Sequence, residues 1–385
     1  MRLSSDDLPM FFAPHHAELA ERLRAVAGSI EAVEAPSAVS TENERDRAAA
    51  AALAEARLFE LVVPTEASSI DTRAVCLARE MLGYVSPRAD SILAVQGLGS
   101  QPIALSGSQD QRASLLAFAR GAGIAAFALT EPEAGSDVAA IATRAAPTAD
   151  GYRLDGDKLF ISNLGIADHA AVFATTEPSL GAKGLTAFWV PLDAPGVRVI
   201  PMRASAAHPI GALELRGVEV PASARIGDVG QGMKLALATL DAFRVSVGAA
   251  AVGMARRAFD EALGFVTRRS QFGKLLSEQP LVQAHLADMI VDIDSARLLV
   301  YRAAHRKDTT GGRVTTEVSI AKLGATEAAQ RVIDRAVQLF GGRGVMAGAI
   351  VEHLYRAIRP LRIYEGTSEI QRTIIGRSLA QGAKP

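Results

Sequence analysis

The sequence predicts a mainly α chain with a β domain in its middle. Three observations carry that prediction: a helical apolar period in the first third, a change to short alternating runs from about Gly121, and a return of the helical period beyond Gly230. The expected divisions are a helical domain over 1–120, a β domain over 121–229 and a four-helix bundle over 230–385. At 385 residues and 49% hydrophobic content the chain can bury large cores and form two or three domains. Lys+Arg 41 against Asp+Glu 42 leaves a formal net charge of −1, without the basic excess of a nucleic-acid or membrane-surface binder. Cys76 stands alone, which excludes an intrachain disulfide framework, and neither Cys nor His clusters at metal-ligand spacing. The start lacks a signal-peptide layout and no run is read as reaching a membrane span, so a cytoplasmic protein is expected.

In chain order, the first domain shows helical spacing in Ala17 to Val33 and Ala89 to Leu105, punctuated by Pro36, Pro64 and Pro87. The β domain reads as short strands at Ile124 to Leu129, Tyr152 to Leu154, Lys158 to Ser162, Ala171 to Thr175, Leu185 to Val190, Val197 to Pro201 and Leu213 to Val220. Its turn from Leu129 to Asp137 combines hydroxyls, a φ-fixing proline and a permissive glycine, which suits a polar ligand or a merely elaborate loop. Strand alternation places Phe160 and Ser162 on one face, an aromatic plane beside a hydroxyl.

The bundle is expected from long amphipathic stretches over 231–267, 281–306 and 316–340 and a short closing helix. Arg268 to Lys274 breaks it first, where cations can simply complement a helix C-terminus, and Gln338 to Gly344 breaks it again, where glycines can simply end a helix. The last stretch, Arg362 to Arg372, places Glu365 before Gly366, with Thr367 as N-cap of the closing helix. A lone Glu-Gly pair is more often a solvated loop acid than a catalyst.

Together and in this order, these stretches resemble the acyl-CoA dehydrogenase family from about residue 10 to residue 380. The resemblance rests on Thr130-Glu131-Pro132 with Ala134-Gly135-Ser136-Asp137, Lys158 to Asn163, Arg269 with Gln271-Phe272-Gly273, Gln338 with Gly341, Gly342 and Gly344, and Tyr364-Glu365-Gly366-Thr367. It implies FAD, a barrel-like middle β domain, a C-terminal four-helix bundle and a homotetramer. It implies a flavin held by Phe127, Leu129, Thr130, Gly135, Ser136, Phe160, Ile161, Ser162, Gln271, Thr367 and Glu369, with Arg269, Phe272, Gln338, Gly341 and Gly342 reaching the FAD of a neighbouring subunit. Substrate positions are implied at Ser136, Asp241, Arg244, Tyr364, Gly366 and Arg377.

The implied reaction is dehydrogenation of an acyl-CoA to a trans-2-enoyl-CoA, with Glu365 taking the α-proton and flavin N5 the β-hydride. Such a proton is weakly acidic, so the implied oxyanion hole, the Glu365 N–H and a ribityl hydroxyl, supplies roughly 3–4 kcal/mol per donor. Some branches of the family place the base where this chain has Phe243, which cannot serve. An electron-transfer flavoprotein or another acceptor is the implied electron partner. The chain departs from the family at Phe160, Pro280, the loop Arg203 to Gly211, Val345 and Ala357, changes that spare the flavin and base positions and bear on the substrate. Alternatives are an acyl group on a carrier protein, to which the His208-Pro209-Ile210-Gly211 loop is similar, an oxidase that lets oxygen reach the reduced flavin, and a DNA-associated flavoprotein. The arginines at 356, 359, 362, 372 and 377 are interspersed with motif positions and do not form the cation face that DNA binding needs.

Overall fold

The computed structural model describes residue 3 and residues 5–34, 41–65, 70–310 and 314–382; Pro36 lies outside the described residues. Helices α1 (Pro14–Glu31), α2 (Glu42–Glu55), α3 (Thr72–Val85), α4 (Pro87–Ser106) and α5 (Gln109–Ala119) come first. Strands follow as β1 (Ala125–Ala128), β2 (Arg144–Pro147), β3 (Gly151–Ser162), β4 (His169–Thr175), β5 (Leu185–Pro191), β6 (Val197–Pro201), β7 (Ile210–Pro221) and β8 (Arg225–Ile226). The chain then forms α6 (Gly232–Val266), the hairpin β9 (Ser270–Gln271) and β10 (Lys274–Leu275), α7 (Pro280–Thr310), α8 (Thr315–Phe340), α9 (Ile350–Ile358) and α10 (Ser368–Gly382). The mainly α fold with a β middle is as the sequence predicts. The runs Tyr152 to Leu154 and Lys158 to Ser162 are one strand, because the Asp155-Gly156-Asp157 segment that reads as a turn is absorbed as a bulge against β7. β2, α9 and the short β8 went unread, being too brief to establish a period.

The chain forms two compact units, one of Met1–Glu31, Asp71–Asp90 and Arg244–Pro385, the other of Ala32–Ile70 and Ser91–Phe243. The second unit is built on a sheet in the order β6-β7-β3-β2-β4-β5-β8, with β1 pairing in parallel to β4. Its core includes Leu154, Ile161, Val172, Phe188, Leu213 and Val218, all nearly inaccessible. Buried side-chain amides anchor β1 to its surroundings. Gln96 Nε2 donates to the carbonyls of Phe118 and Gly123 while its Oε1 accepts from Ala125 N, and Asn163 Nδ2 donates to the Ile92 and Ala125 carbonyls.

The first unit is helical, with α8 packed against α7, α9 and α10, and α3 against α1 and α7. Glycine sets how closely α3 and α6 approach. A Cβ on Gly83 would lie 2.2 Å from the Ala250 carbonyl oxygen, and one on Gly253 2.0 Å from that of Glu80. Charges fill the same contact: Glu80, 2% exposed, accepts from Arg297 Nε at 3.1 Å and the Tyr301 hydroxyl at 2.6 Å, and pairs with Arg256.

The expectation that no run reaches a membrane span needs correction. Helix α6 is long and apolar enough by length and composition, but 72% of its apolar window is buried inside the protein, the signature of a core helix. The helix crossing yields a paired prediction. Gly253→Ala should destabilise by about 1–3 kcal/mol through overpacking, whereas Gly28→Ala, on α1 with nothing within 4 Å of the added Cβ, should stabilise by about 0.5–1 kcal/mol. Thermal melts in parallel check both, and equal small shifts would refute the close crossing.

Candidate active site

In the helical unit, Glu365 sits in the loop between α9 and α10 in a left-handed conformation, φ 52°, followed by Gly366 at φ 92°. For glutamate that backbone costs on the order of 1–3 kcal/mol and persists only where surroundings over-determine it. They do so through the carbonyls. Glu365 O accepts from Arg244 Nε at 3.1 Å and Gln371 Nε2 at 3.4 Å; Gly366 O accepts from Lys322 Nζ at 2.7 Å and Gln371 Nε2 at 3.0 Å. A Cβ on Gly366 would fall 2.5 Å from that Gln371 nitrogen, so glycine is required there. Thr367 Oγ1 accepts from Ile370 N at 3.3 Å, the N-cap that starts α10 as predicted.

The carboxyl itself is left open. Glu365 Oε2 is buried with no hydrogen-bond partner among the described residues. Burial pushes the carboxyl above the usual carboxylate range, and Arg79, Arg244 and Lys322 pull the other way without reversing it. Arg79 is held by Asp90 through paired bonds of 2.8 Å from Nε and Nη2, donates to Ser246 Oγ at 3.0 Å, and meets the Tyr364 hydroxyl, whose own ionisation burial pushes up. Lys322 is fully buried and brought down to about 8 by desolvation. Arg244, Tyr364 and Gly366 are thus gathered around Glu365, while Arg377 is exposed further along α10 and Glu369 points outward. Lys322, Arg79, Asp90 and Gln371 are the residues that sequence reasoning missed. A cation on an apolar helical stripe, Lys322 between Val318, Ala321 and Ala325, was the available signal.

At another place in the same unit, Phe265 stacks on Phe340 with centroids 4.4 Å apart, bringing the ends of α6 and α8 together. That end carries Arg269, Gln271 and Phe272 in the β9–β10 hairpin and Gln338, Gly341 and Gly342 at the close of α8, all on the surface. The hairpin is a two-residue turn with Phe272 at φ 53° and Gly273 at φ 77°. It holds the Phe272 ring 98% exposed.

In the β unit, the Leu159 N–H donates to Thr130 O at 2.9 Å, so the end of β1 with Phe127, Leu129 and Thr130 meets the end of β3 with Phe160, Ile161 and Ser162. A bulge between Lys158 and Ile161 puts Phe160 at φ 57° and 57% exposed while Ile161 turns into the core. Beneath them lies a buried ion pair. Lys158 Nζ donates to Glu131 Oε1 at 2.7 Å and to the Phe173 carbonyl at 2.6 Å, and Glu131 also accepts from Ala142 N at 2.7 Å and Thr143 N at 3.0 Å. Burial brings Lys158 down to about 8, and the lysine's charge holds Glu131 below its ordinary range. Beyond this anchored turn, Gly135 and Ser136 are exposed; Asp241 lies half-buried on α6. Phe243 is buried, its ring only 2.6 Å from where a Cβ on Gly97 would stand.

The residues fit a flat, polar-edged ring. The hydroxyls of Thr130, Ser136 and Ser162 have no hydrogen-bond partner among the described residues, and Phe160, next to the Leu159 that bonds Thr130, is exposed. One His/Asp group among the described residues has metal-ligand spacing, His15, His16 and Asp71. Yet His16 Nδ1 accepts from Ala13 N at 2.9 Å, which leaves the ring proton on Nε2, donated to Asp71 at 3.1 Å and blocking metal there.

Comparison with known proteins adds three family matches: residues 13–121 match the acyl-CoA dehydrogenase N-terminal domain, 126–218 the middle domain and 230–380 the C-terminal domain. FadE25 of Mycobacterium tuberculosis, named a probable acyl-CoA dehydrogenase, is 38% identical over 80% of this chain and 80% of its own. The short-chain specific acyl-CoA dehydrogenase of Homo sapiens is 36% identical over 84% of this chain and 80% of its own. Among solved structures, butyryl-CoA dehydrogenase from Megasphaera elsdenii superposes with a TM-score of 0.87 at 31% identity, covering 96% of this chain and 99% of that one.

The ion pair under the β1–β3 junction generates the second prediction. Lys158→Met strands a carboxylate that is 6% exposed, and breaking a buried pair in this way costs about 3–5 kcal/mol. Adding Glu131→Gln should recover part of the loss. Denaturant unfolding of both variants measures the coupling, and a loss under about 1 kcal/mol in the single variant would refute it.

Proposed function

The chain belongs to the acyl-CoA dehydrogenase family, oxidoreductases acting on CH–CH bonds, and from that premise we propose that Glu365 is the base that takes the α-proton of an acyl-CoA thioester. The observation that carries the reading is a carboxylate oxygen buried without a partner on a loop whose carbonyls are otherwise fully engaged. FAD, when bound, supplies the acceptor for the β-hydride. Thr130, Ser136, Phe160 and Ser162, with the backbone at Phe127, Leu129, Gly135 and Ile161, are the proposed flavin contacts of the β unit. Arg269, Gln271, Phe272, Gln338, Gly341, Gly342, Thr367 and Glu369 are those of the helical unit. Asp241, Arg244, Tyr364, Gly366, Ser136 and Arg377 are proposed to meet substrate.

The chain's own groups prepare the proton transfer. Burial makes Glu365 a stronger base than a solvated carboxylate, and a substrate that displaces water from the half-buried side chain strengthens it further. The locked Glu365 and Gly366 carbonyls leave the loop no freedom to swing the carboxylate away, so positioning precedes substrate arrival. Exposed apolar side chains of the helical unit, Phe272 at 98%, Leu281 at 79%, Val345 at 68% and Val291 at 63%, support assembly as a homo-oligomer. We propose a cytoplasmic homotetramer that passes its electrons to an electron-transfer flavoprotein.

Glu365→Gln should retain FAD and still bind substrate, while anaerobic flavin bleaching slows by about 10²–10⁴. In the parent protein the bleaching rate should rise with pH through a range above that of an ordinary carboxylate, because the raised group is protonated, and idle as a base, below it. A glutamine variant that bleaches at the parental rate with the same acyl-CoA would move the base elsewhere. Arg269→Ala should lower flavin content and loosen the oligomer together; unchanged flavin content with unchanged sedimentation would refute the shared-site assignment.

A further inference from the structure

We propose that Lys322 is a positioning residue for this proton abstraction: its ammonium clamps the turn at Gly366 and sets a positive charge on the peptide next to the residue that bears the base. The inference rests on Glu365 as the base and adds a group to that site. Lys322 lies on the core-facing side of α8 among Val318, Ala321 and Ala325, fully buried. A buried ammonium carries a desolvation cost that a methionine of similar volume would avoid, so its place there calls for a partner. That partner is a backbone carbonyl, Gly366 O at 2.7 Å, in the peptide next to the strained residue that bears the carboxylate.

The surrounding charges leave the loop as the target of the lysine. Glu365, Arg244, Glu327 and Glu369 face Lys322. Glu327 is occupied by Ser368 Oγ at 2.6 Å and Arg362 at 2.9 Å, and the Glu369 carboxylate is 79% exposed and solvated. Glu365 in turn faces Arg79, Arg244 and Lys322, each of which favours its ionised form, and Asp90, which opposes it more weakly and holds Arg79 in a bidentate pair. A positive charge placed beside a buried acid favours its ionised form. Lysine therefore does two things that a neutral donor cannot do together: it holds the carbonyl and offsets the burial of the base.

The test reads Glu365 directly. Its protonated carboxyl is followed by infrared difference titration of the holoenzyme, identified as the band missing from Glu365→Gln. Lys322→Met and Lys322→Gln should each raise its midpoint by at least about one pH unit, tenfold in the ratio of protonated to ionised form. Lys322→Arg, which restores the charge, should bring it back toward the parent. The pH profile of anaerobic bleaching by butyryl-CoA should shift by the same amount. Should the methionine variant fail to fold, the glutamine variant, which keeps a donor and loses only the charge, carries the test. An unmoved midpoint in the folded neutral variant overturns the proposal. Parental bleaching by Glu365→Gln would instead overturn the base assignment, and the infrared midpoint would still report whether Lys322 acts on that carboxyl.

Discussion

A carboxylate must be buried to become a strong base, yet burial opposes the ionised form that does the work. The Glu365 loop meets both demands with one device. Its peptide carbonyls, from Glu365 and Gly366, are turned inward to Arg244, Gln371 and Lys322. The carboxyl is left with an unpartnered oxygen and with cations near enough to oppose desolvation. Left-handed backbone at Glu365 is the geometric cost of turning the carbonyls in while the side chain points elsewhere. The Arg79–Asp90 pair, the α3–α6 crossing at Gly83 and Gly253, and the cap at Thr367 fix the helices that carry those donors.

The β unit solves a related problem with similar parts. There too a lysine is fully buried, donates to backbone carbonyls, and stands beside a glutamate, but the carboxylate is saturated: Glu131 accepts from Lys158, Ala142 N and Thr143 N. The Lys158 charge and the hydrogen bonds around it outweigh burial and lower the proton affinity of Glu131, whereas at Glu365 burial outweighs the nearby cations and raises it. Two glutamates in motif stretches thus part ways on the balance of burial against nearby charge and hydrogen bonds, one anchoring a turn and the other fit to act as a base.

This contrast marks how far sequence carries the reading. Periods of 3.6 and 2 sufficed for the helical ends and the β middle because they reflect burial of whole faces, and Ser/Thr chemistry sufficed for the cap at Thr367. Glu131 and Glu365 look alike in one dimension, since each is an acid beside a turn residue. What separates them is supplied from remote positions: Lys158 and Thr143 for one, Arg79, Arg244, Lys322 and Gln371 for the other. Of these only Arg244 carries a site role through the resemblance, and Lys158 stands in the sequence merely as the first residue of a motif strand. The bulge that exposes Phe160 while burying Ile161 was equally hidden, because it depends on the register against β7. The short strands and α9 span too few residues to show a period.

Phe243 shows the constraint working in reverse. Its ring fills the space that Gly97 leaves by lacking a Cβ, and it is wholly buried with no polar atom. A carboxylate put at this position would be desolvated, in a pocket shaped for an aromatic ring. A base is therefore a property of the environment assembled around an acid. In this chain that environment, with Arg79, Arg244 and Lys322 converging on one carboxyl, has been built at residue 365.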